Sequence, residues 1–172
     1  MSGTLIDLVT ADDVAAVKEH LVEVQKKGEE FAHREVCSCE FGGGRGARSA
    51  LHTAATRGRA AMLVHLLATR ADANSTDDAN TTPLHFAADL GHARAAHVLL
   101  KHGANPAARN SFGSRPIDKA VANSWDVPEV VEGKAQFLKM VAGEEIPFED
   151  LRPEPELRDT RPLSPTQRRG GA

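Results

Sequence analysis

The feature that most constrains this chain is a repeat with a period of 33 residues. Its best copy, from Thr82 to Gly103, reads TPLHFAADLGHARAAHVLLKHG and has two apolar stripes at helical spacing that meet at Gly91. A helical hairpin of this length cannot bury its own apolar face, so it needs similar hairpins stacked on either side. A shift of one period toward the N-terminus brings seven of its positions onto identical residues: Leu51, His52, Ala54, Ala55, Gly58, Leu66 and Leu67.

The head of each copy predicts where its first helix begins. The hydroxyl of Thr82 can accept a backbone N–H, and Pro83 has a fixed φ and no N–H, so we expect a helix to begin at Pro83. A shift toward the C-terminus retains Pro116 in the same place, but Asp118 replaces His85, so the pattern weakens there. A 33-residue unit headed by T-P-L-H-x-A resembles the ankyrin repeat.

The resemblance implies an all-α ankyrin-repeat solenoid of stacked helical hairpins, with short finger β-hairpins or turns between the units. It also implies that His52 and His85 hydrogen-bond the backbone across the turn between neighbouring units. Ankyrin units end in a left-handed glycine, and Gly103 fills that place here. Arg70 holds the equivalent place one unit earlier, so we expect it in the left-handed region at a cost of about 1 kcal/mol.

The repeats divide the chain into successive segments. We expect a degenerate N-terminal capping repeat (1–36), a Gly-rich insertion in a finger loop (37–46), two ankyrin repeats (47–79 and 80–112), a C-terminal capping repeat with an insertion (113–145), and a Pro-rich tail (146–172). In the C-terminal cap, the second helix is expected to resume near Glu132, and Trp125 to cover the exposed end of the stack. The composition of the tail predicts an extended or disordered, flexible segment unless it packs back on the repeats.

Composition and charge bound the classes of function. The 172 residues have a formal net charge of -3 and 4% aromatic content, which fits thin layers of small helices and indicates no nucleic-acid partner. The N-terminus lacks a basic segment followed by a long apolar core, and no run approaches the roughly 18 apolar residues of a membrane span. We therefore expect a protein of the cytoplasm, with the nucleus as a further compartment, that is monomeric by itself and has no membrane partner.

The insertion raises the question of metal or phosphate chemistry. Cys37 and Cys39 are the only cysteines, and together with His33 they are too few for a tetrahedral zinc site. The glycines between Phe41 and Ala47 lack the Lys-Ser/Thr pair and the flanking strand and helix of a phosphate-binding loop. No Ser/His/Asp or Cys/His set has support. We therefore predict no enzyme, cofactor or metal, and we keep as the alternative a metal-dependent protein or enzyme that uses Cys37, Cys39 and His33.

The resemblance implies that the finger turns and the outward positions of the first helices line a concave groove. Three large apolar residues occupy such positions without being needed for the core, and carboxylates flank them. An apolar centre with an acidic rim is typical of a surface that binds a basic or amphipathic segment of another protein. The predicted partner-binding residues are Phe86, Asp89, Leu90, Phe112, Asp77, Asp78 and Arg57. We predict a non-catalytic interaction module that acts as an adaptor, an inhibitor or a small chaperone, and the other interpretation is scattered exposed apolar residues without a partner.

Two residues resemble modification sites. Asn74 follows a Leu by eight residues and an acidic residue by two, which resembles the ankyrin sites of asparaginyl hydroxylases. In the structural interpretation, Asn74 hydrogen-bonds the backbone to hold the turn of its finger. Ser164 precedes Pro165 and resembles a proline-directed kinase site.

Overall fold

A computed structural model describes residues 5–26, 49–124 and 126–151. The α-helices of these residues are α1 (Leu5–Ala11), α2 (Val14–Lys26), α3 (Ala50–Thr56), α4 (Ala60–Ala68), α5 (Pro83–Asp89), α6 (Ala93–Lys101), α7 (Pro116–Lys119) and α8 (Pro128–Val141), and a 3-10 helix spans Phe148–Asp150. The described residues include no β-strand, so the fingers among them are turns rather than hairpins. The first helix of the best copy begins at Pro83 as predicted, with Thr82 as its extended N-cap.

The helices form two rows. The first helices α1, α3, α5 and α7 each contact the next member of their row. The second helices α2, α4, α6 and α8 make the other row in the same way. Within a unit, α1 packs on α2, α3 on α4, and α5 on α6. This nearest-neighbour arrangement confirms the predicted all-α solenoid.

The core between the rows is built from small side chains at the repeated positions. Ala54, Ala55 and Ala88 have no exposed surface, and the same holds for Leu51 and Leu84. Because alanine adds only one methyl group, the helices can approach closely. Burial of each leucine then contributes about 1.5–3 kcal/mol relative to leaving it exposed.

Two buried histidines connect neighbouring units, which confirms the role implied by the resemblance. His52 Nε2 bonds Thr81 O at 2.9 Å, and His85 Nε2 bonds Ser114 O at 3.0 Å. In the second case, Nδ1 accepts the N–H of Thr82 at 3.2 Å, which places the ring proton on Nε2. Burial lowers the pKa of His85, and the hydrogen bond to Ser114 opposes this effect only in part, so the neutral ring is favoured.

The backbone at the ends of the helices follows the repeat. Gly103 has φ 84, and Arg70, in the equivalent place, has φ 61, which confirms the predicted left-handed conformation. At the turn between the two helices of a unit, Gly58 has φ 71 and Gly91 has φ 66. Asp12 has φ 60 at the turn between α1 and α2. This shared geometry fits the interpretation of α1 and α2 as a degenerate first repeat.

A second pair of equivalent residues also reaches back to the preceding unit. Arg59 forms a salt bridge with Asp12, and both side chains are largely buried. One period later, His92 Nε2 bonds Thr56 O at 3.1 Å. In these two units, the residue before the second helix is thus connected to the turn or to the first helix of the unit before it.

The last unit departs from the prediction at its second helix. α8 begins at Pro128 rather than near Glu132, so the predicted start was wrong. Val127 is extended, with φ -70 and ψ 154, and Pro128 then opens the helix without needing an N–H partner. Val127 and Pro128 therefore determine where α8 begins, although the repeat pattern has weakened in this unit. Trp125, which was expected to cover the end of the stack, lies outside the described residues.

Residues 146–151, here named the C-terminal strap, pack back on the row of second helices. Leu151 is 1% exposed, and Arg94 Nε of α6 donates to its carbonyl oxygen at 3.2 Å. Gln136 Nε2 of α8 donates to Asp150 O at 3.1 Å. The strap therefore packs back on the repeats, which is the second of the two alternatives that the sequence allows for the tail. Residues 152–172 lie outside the described part of the chain.

Candidate functional site

The finger between α6 and α7 presents an exposed aromatic ring, because Phe112 is 80% exposed. Asn110 Oδ1 accepts the N–H groups of Phe112 and Ser114, both at 3.0 Å, and Asn110 N–H donates to Ser114 O at 3.0 Å. Ser111 N–H donates to Ala79 O of the preceding finger at 2.8 Å. The ring therefore projects from a turn whose backbone is hydrogen-bonded internally and to its neighbour.

The preceding finger has the same turn with a small residue at the tip. Asp77 Oδ1 accepts the N–H of Ala79 at 2.9 Å and the N–H of Thr81 at 2.8 Å. Asp77 thus has the role that Asn110 has one period later, and Ala79 holds the place of Phe112. Sequence reasoning assigned Asp77 to partner binding and missed this turn-holding role, although Asp and Asn at this spacing are typical of such turns.

Phe86 lies on α5 and Leu90 directly after it, and both are half-buried. The ring of Phe86 meets the ring of His52 edge-on, with centroids 5.9 Å apart and planes at 83°. Such a contact contributes about 0.5–1.5 kcal/mol between aromatic rings, so Phe86 supports the stacking of units, and its place in the groove stays a prediction. Leu90 is the C-cap of α5, and its N–H donates to Phe86 O at 3.1 Å. The predicted apolar trio therefore consists of one exposed ring and two half-buried side chains.

Three charged residues of the predicted groove, Asp78, Asp89 and Arg57, are exposed, and Asp77 is half-buried. Asp78 and Asp89 supply carboxylates, and Arg57 is the C-cap of α3. At the head of α7, Arg115 Nη2 lies 2.9 Å from Asp118 Oδ1, and the hydrogen bonds from Arg115 lower the pKa of Asp118 to about 2. Asp118 therefore remains ionised at neutral pH, but its charge is matched by its partner.

Asn74 connects two units. Its Nδ2 donates to Gly103 O at 3.0 Å, and Asn105 N–H donates to its Oδ1 at 2.7 Å. Its own N–H donates to Asp72 Oδ1 at 2.8 Å. The structural interpretation correctly gave the side chain a backbone partner, but that backbone belongs to the next unit rather than to the turn of its own finger. Hydroxylation of Asn74 stays a prediction.

The remaining candidate residues lie outside the described part of the chain, namely Cys37, Cys39, His33 and Ser164. Within residues 5–26, 49–124 and 126–151, no three His, Cys, Asp or Glu side chains are placed to hold a metal ion. In the same ranges, no helix has the length and apolar character needed to cross a membrane.

A second surface, which sequence reasoning missed, lies on the row of second helices. The strap residue Phe148 packs beside α6, with its ring centroid 5.1 Å from Arg94 Cζ and 5.7 Å from the ring centroid of His97. Next to Phe148, an open groove of about 580 Å³ runs along α4 and α6. The available signal was the occurrence of Ile146, Phe148 and Leu151 among carboxylates in a segment interpreted as a tail.

Two rows of short helices with turns that extend from one edge define a helical-repeat protein of the solenoid class. The ankyrin-repeat family model matches residues 12–124 in three copies, which is more than half of the chain. The chain therefore belongs to the ankyrin-repeat family.

Known relatives match the repeat region. Ankyrin repeat domain-containing protein 13C of Danio rerio is 32% identical over 103 residues, which cover 60% of this chain and 20% of that protein. The ARF GTPase-activating protein GIT1 of Homo sapiens is 30% identical over 111 residues, which cover 63% of this chain and 15% of that protein. Potassium channel AKT2/3 of Arabidopsis thaliana is 39% identical over 66 residues, which cover 38% of this chain and 8% of that protein. The chain spans one fifth or less of the length of these relatives.

Proposed function

We propose that this chain is a non-catalytic protein-interaction module that binds a segment of a partner protein in the groove formed by its first helices and fingers. In this role it acts as an adaptor, an inhibitor or a small chaperone. Membership of the ankyrin-repeat family supports the proposal, because ankyrin repeats generally mediate protein–protein interaction. The observation that carries it is the exposed ring of Phe112 on a hydrogen-bonded turn, since buried aromatic anchors dominate the energetics of interfaces.

The groove favours a basic or amphipathic partner segment. Phe112 offers a flat apolar face on which an apolar side chain or an Arg guanidinium can pack. Phe86 and Leu90 supply half-buried apolar surface on α5 and directly after it, and the exposed carboxylates of Asp78 and Asp89 supply negative charge. A segment with Lys or Arg around an apolar anchor satisfies both features.

The test begins with the full chain carrying a photo-crosslinking amino acid at position 112, expressed in the native cell. The proteins that it captures are compared with those captured by the same amino acid at position 22, in place of Val22. Val22 is also an exposed apolar residue, at 47%, but it lies on α2 in the row of second helices. The partner captured at position 112 and not at position 22 is then purified, and its affinity is measured by titration calorimetry.

The decisive variant is Phe112→Ala, because Ala79 already occupies the same place in the preceding finger and shows that the turn accepts alanine. We expect binding to weaken about 30-fold, which corresponds to about 2 kcal/mol, while the Tm stays unchanged. Equal affinity of Phe112→Ala and the wild-type protein contradicts the proposal.

A further inference from the structure

The outward face of α4 lacks the charges that the next unit carries. α4 reads AAMLVHLLA and contains no Asp, Glu, Lys or Arg. Val64 at the middle of this face is 44% exposed, whereas valine is more often buried. One period later, α6 has basic side chains in place of Ala61, Val64 and Ala68, namely Arg94, His97 and Lys101.

The groove of about 580 Å³ lies between this apolar face and α6. Its wall includes the apolar side chains of Val64, Val98 and Phe148. The residues with basic groups around it are His65, His97, Lys101 and His102. Among the described residues that line the groove there is no carboxylate. Burial lowers the pKa of His97 and favours its neutral form, so the groove is an apolar channel whose positive charge comes from Lys101.

The adjoining strap shows what kind of segment this side of the protein holds. The strap reads IPFEDL, and its apolar residues Phe148 and Leu151 pack on this side of the protein, while the carboxylates of Glu149 and Asp150 between them are exposed. Phe148 packs 5.1 Å below Arg94 Cζ, and Leu151 is 1% exposed. Phe148 also forms one wall of the groove, so the groove continues the surface that the strap already covers.

We propose that the groove along α4 and α6 binds a segment of a partner protein that combines an apolar anchor with flanking carboxylates. The absence of lining carboxylates and the presence of Lys101 make the charge complementary to such a segment. The volume lies within the range of about 300–1,000 Å³ that is usual for pockets that bind small ligands, and it accommodates one or two anchoring side chains. This surface is separate from the groove of the first helices and fingers, and it selects the opposite charge.

The experiment uses the full chain and a fluorescein-labelled peptide, Glu-Glu-Ile-Pro-Phe-Glu-Asp-Leu, which copies residues 144–151. Fluorescence anisotropy measures its affinity for the wild-type protein and for Val64→Glu, which places a carboxylate in the groove at an exposed helix position. We expect saturable binding to the wild-type protein and at least a tenfold loss for Val64→Glu. The matched control is Val22→Glu, the same change at an equally exposed valine of α2, which should bind as the wild-type protein does.

A second variant keeps the test decisive if Val64→Glu lowers the Tm. Lys101 is exposed and lines the groove, so Lys101→Glu should also weaken peptide binding at least tenfold. If both substitutions leave the peptide affinity unchanged, the peptide binds elsewhere on the row of second helices by displacing the strap, and the proposal is overturned. The proposal is equally overturned if the wild-type protein shows no saturable peptide binding in the millimolar range. It is also overturned if sedimentation shows self-association that Val64→Glu abolishes, because a second copy of the chain then occupies the groove.

Discussion

α8 contacts the turn between α5 and α6 through two glycines, and the substitution Gly133→Ala tests this contact. Gly133 is buried within α8, and a Cβ atom on it would overlap the carbonyl oxygen of Gly91 and lie 2.7 Å from the carbonyl carbon. A Cβ atom on Gly91 would in turn overlap the carbonyl oxygen of Val130. These obstacles are backbone atoms, which cannot move aside as the end of a flexible side chain can.

Two effects of opposite sign act on the stability of Gly133→Ala. Helix propensity alone raises the free energy of unfolding by about 1 kcal/mol when Gly in a helix interior becomes Ala. Overpacking of a close contact lowers it by about 1–3 kcal/mol, occasionally more, and the overlap with backbone places this variant at the upper end. We therefore expect a net loss of about 2 kcal/mol, which corresponds to a fall of roughly 4–8 °C in Tm for a chain of this length.

Urea unfolding followed by circular dichroism measures the change in free energy. The matched control is Ala135→Gly, an exposed position of the same helix, which should lose about 1 kcal/mol through propensity alone. If Gly133→Ala raises the urea midpoint by as much as Ala135→Gly lowers it, α8 does not approach Gly91 this closely and the reasoning is refuted.

Three further predictions concern single residues. Arg70→Gly removes an L-residue at φ 61, so the free energy of unfolding should rise by a few tenths to about 1 kcal/mol, and a lowered urea midpoint contradicts this. Because burial lowers the pKa of His85 from 6.5, the unfolded chain binds more protons below that pH, so stability is complete above it and falls as the pH decreases. His85→Gln should therefore reduce the change in urea midpoint between about pH 7.5 and about pH 5.5, and an unreduced change refutes the assignment. Co-expression with an asparaginyl hydroxylase should raise the intact mass by one oxygen at Asn74 and not at the equivalent Ala107, and a rise that survives Asn74→Ala contradicts the prediction.

The features that the sequence predicted correctly depend on short segments repeated at a fixed period. The helix start at Pro83 follows from a local cap and a proline, and the hydrogen bond of His85 follows from a position that recurs as His52. The left-handed Arg70 follows from its equivalence to Gly103. Because neighbouring units share one geometry, the alignment of two copies transfers a backbone conformation from one to the other.

The features that the sequence did not predict depend on contacts between segments that do not repeat. The close approach of Gly133 to Gly91 joins the altered last unit to a regular one, and no second copy of that contact exists in the pattern. The strap accepts hydrogen bonds from Arg94 and Gln136 through its backbone carbonyl oxygens. Because every residue has such an oxygen, these contacts cannot be recognised from the residue types of the strap. Two phenylalanines of the predicted groove also differ in burial. Phe112 is exposed, whereas Phe86 is half-buried because the ring of His52 packs against it.

The positions where equivalent residues differ indicate where this solenoid carries its specificity. Inward positions are constrained by the stack, so Leu51 and Leu84 are both fully buried and alike. Outward positions carry no such constraint, and there Ala79 becomes Phe112 one unit later, and His97 replaces Val64. Each difference changes the surface without changing the helices beneath it, because repeat stability depends on intrinsic and nearest-neighbour terms. We therefore expect the two proposed surfaces, on the finger side and on the second-helix side, to be independent, so a substitution on one side should leave the affinity of the other unchanged.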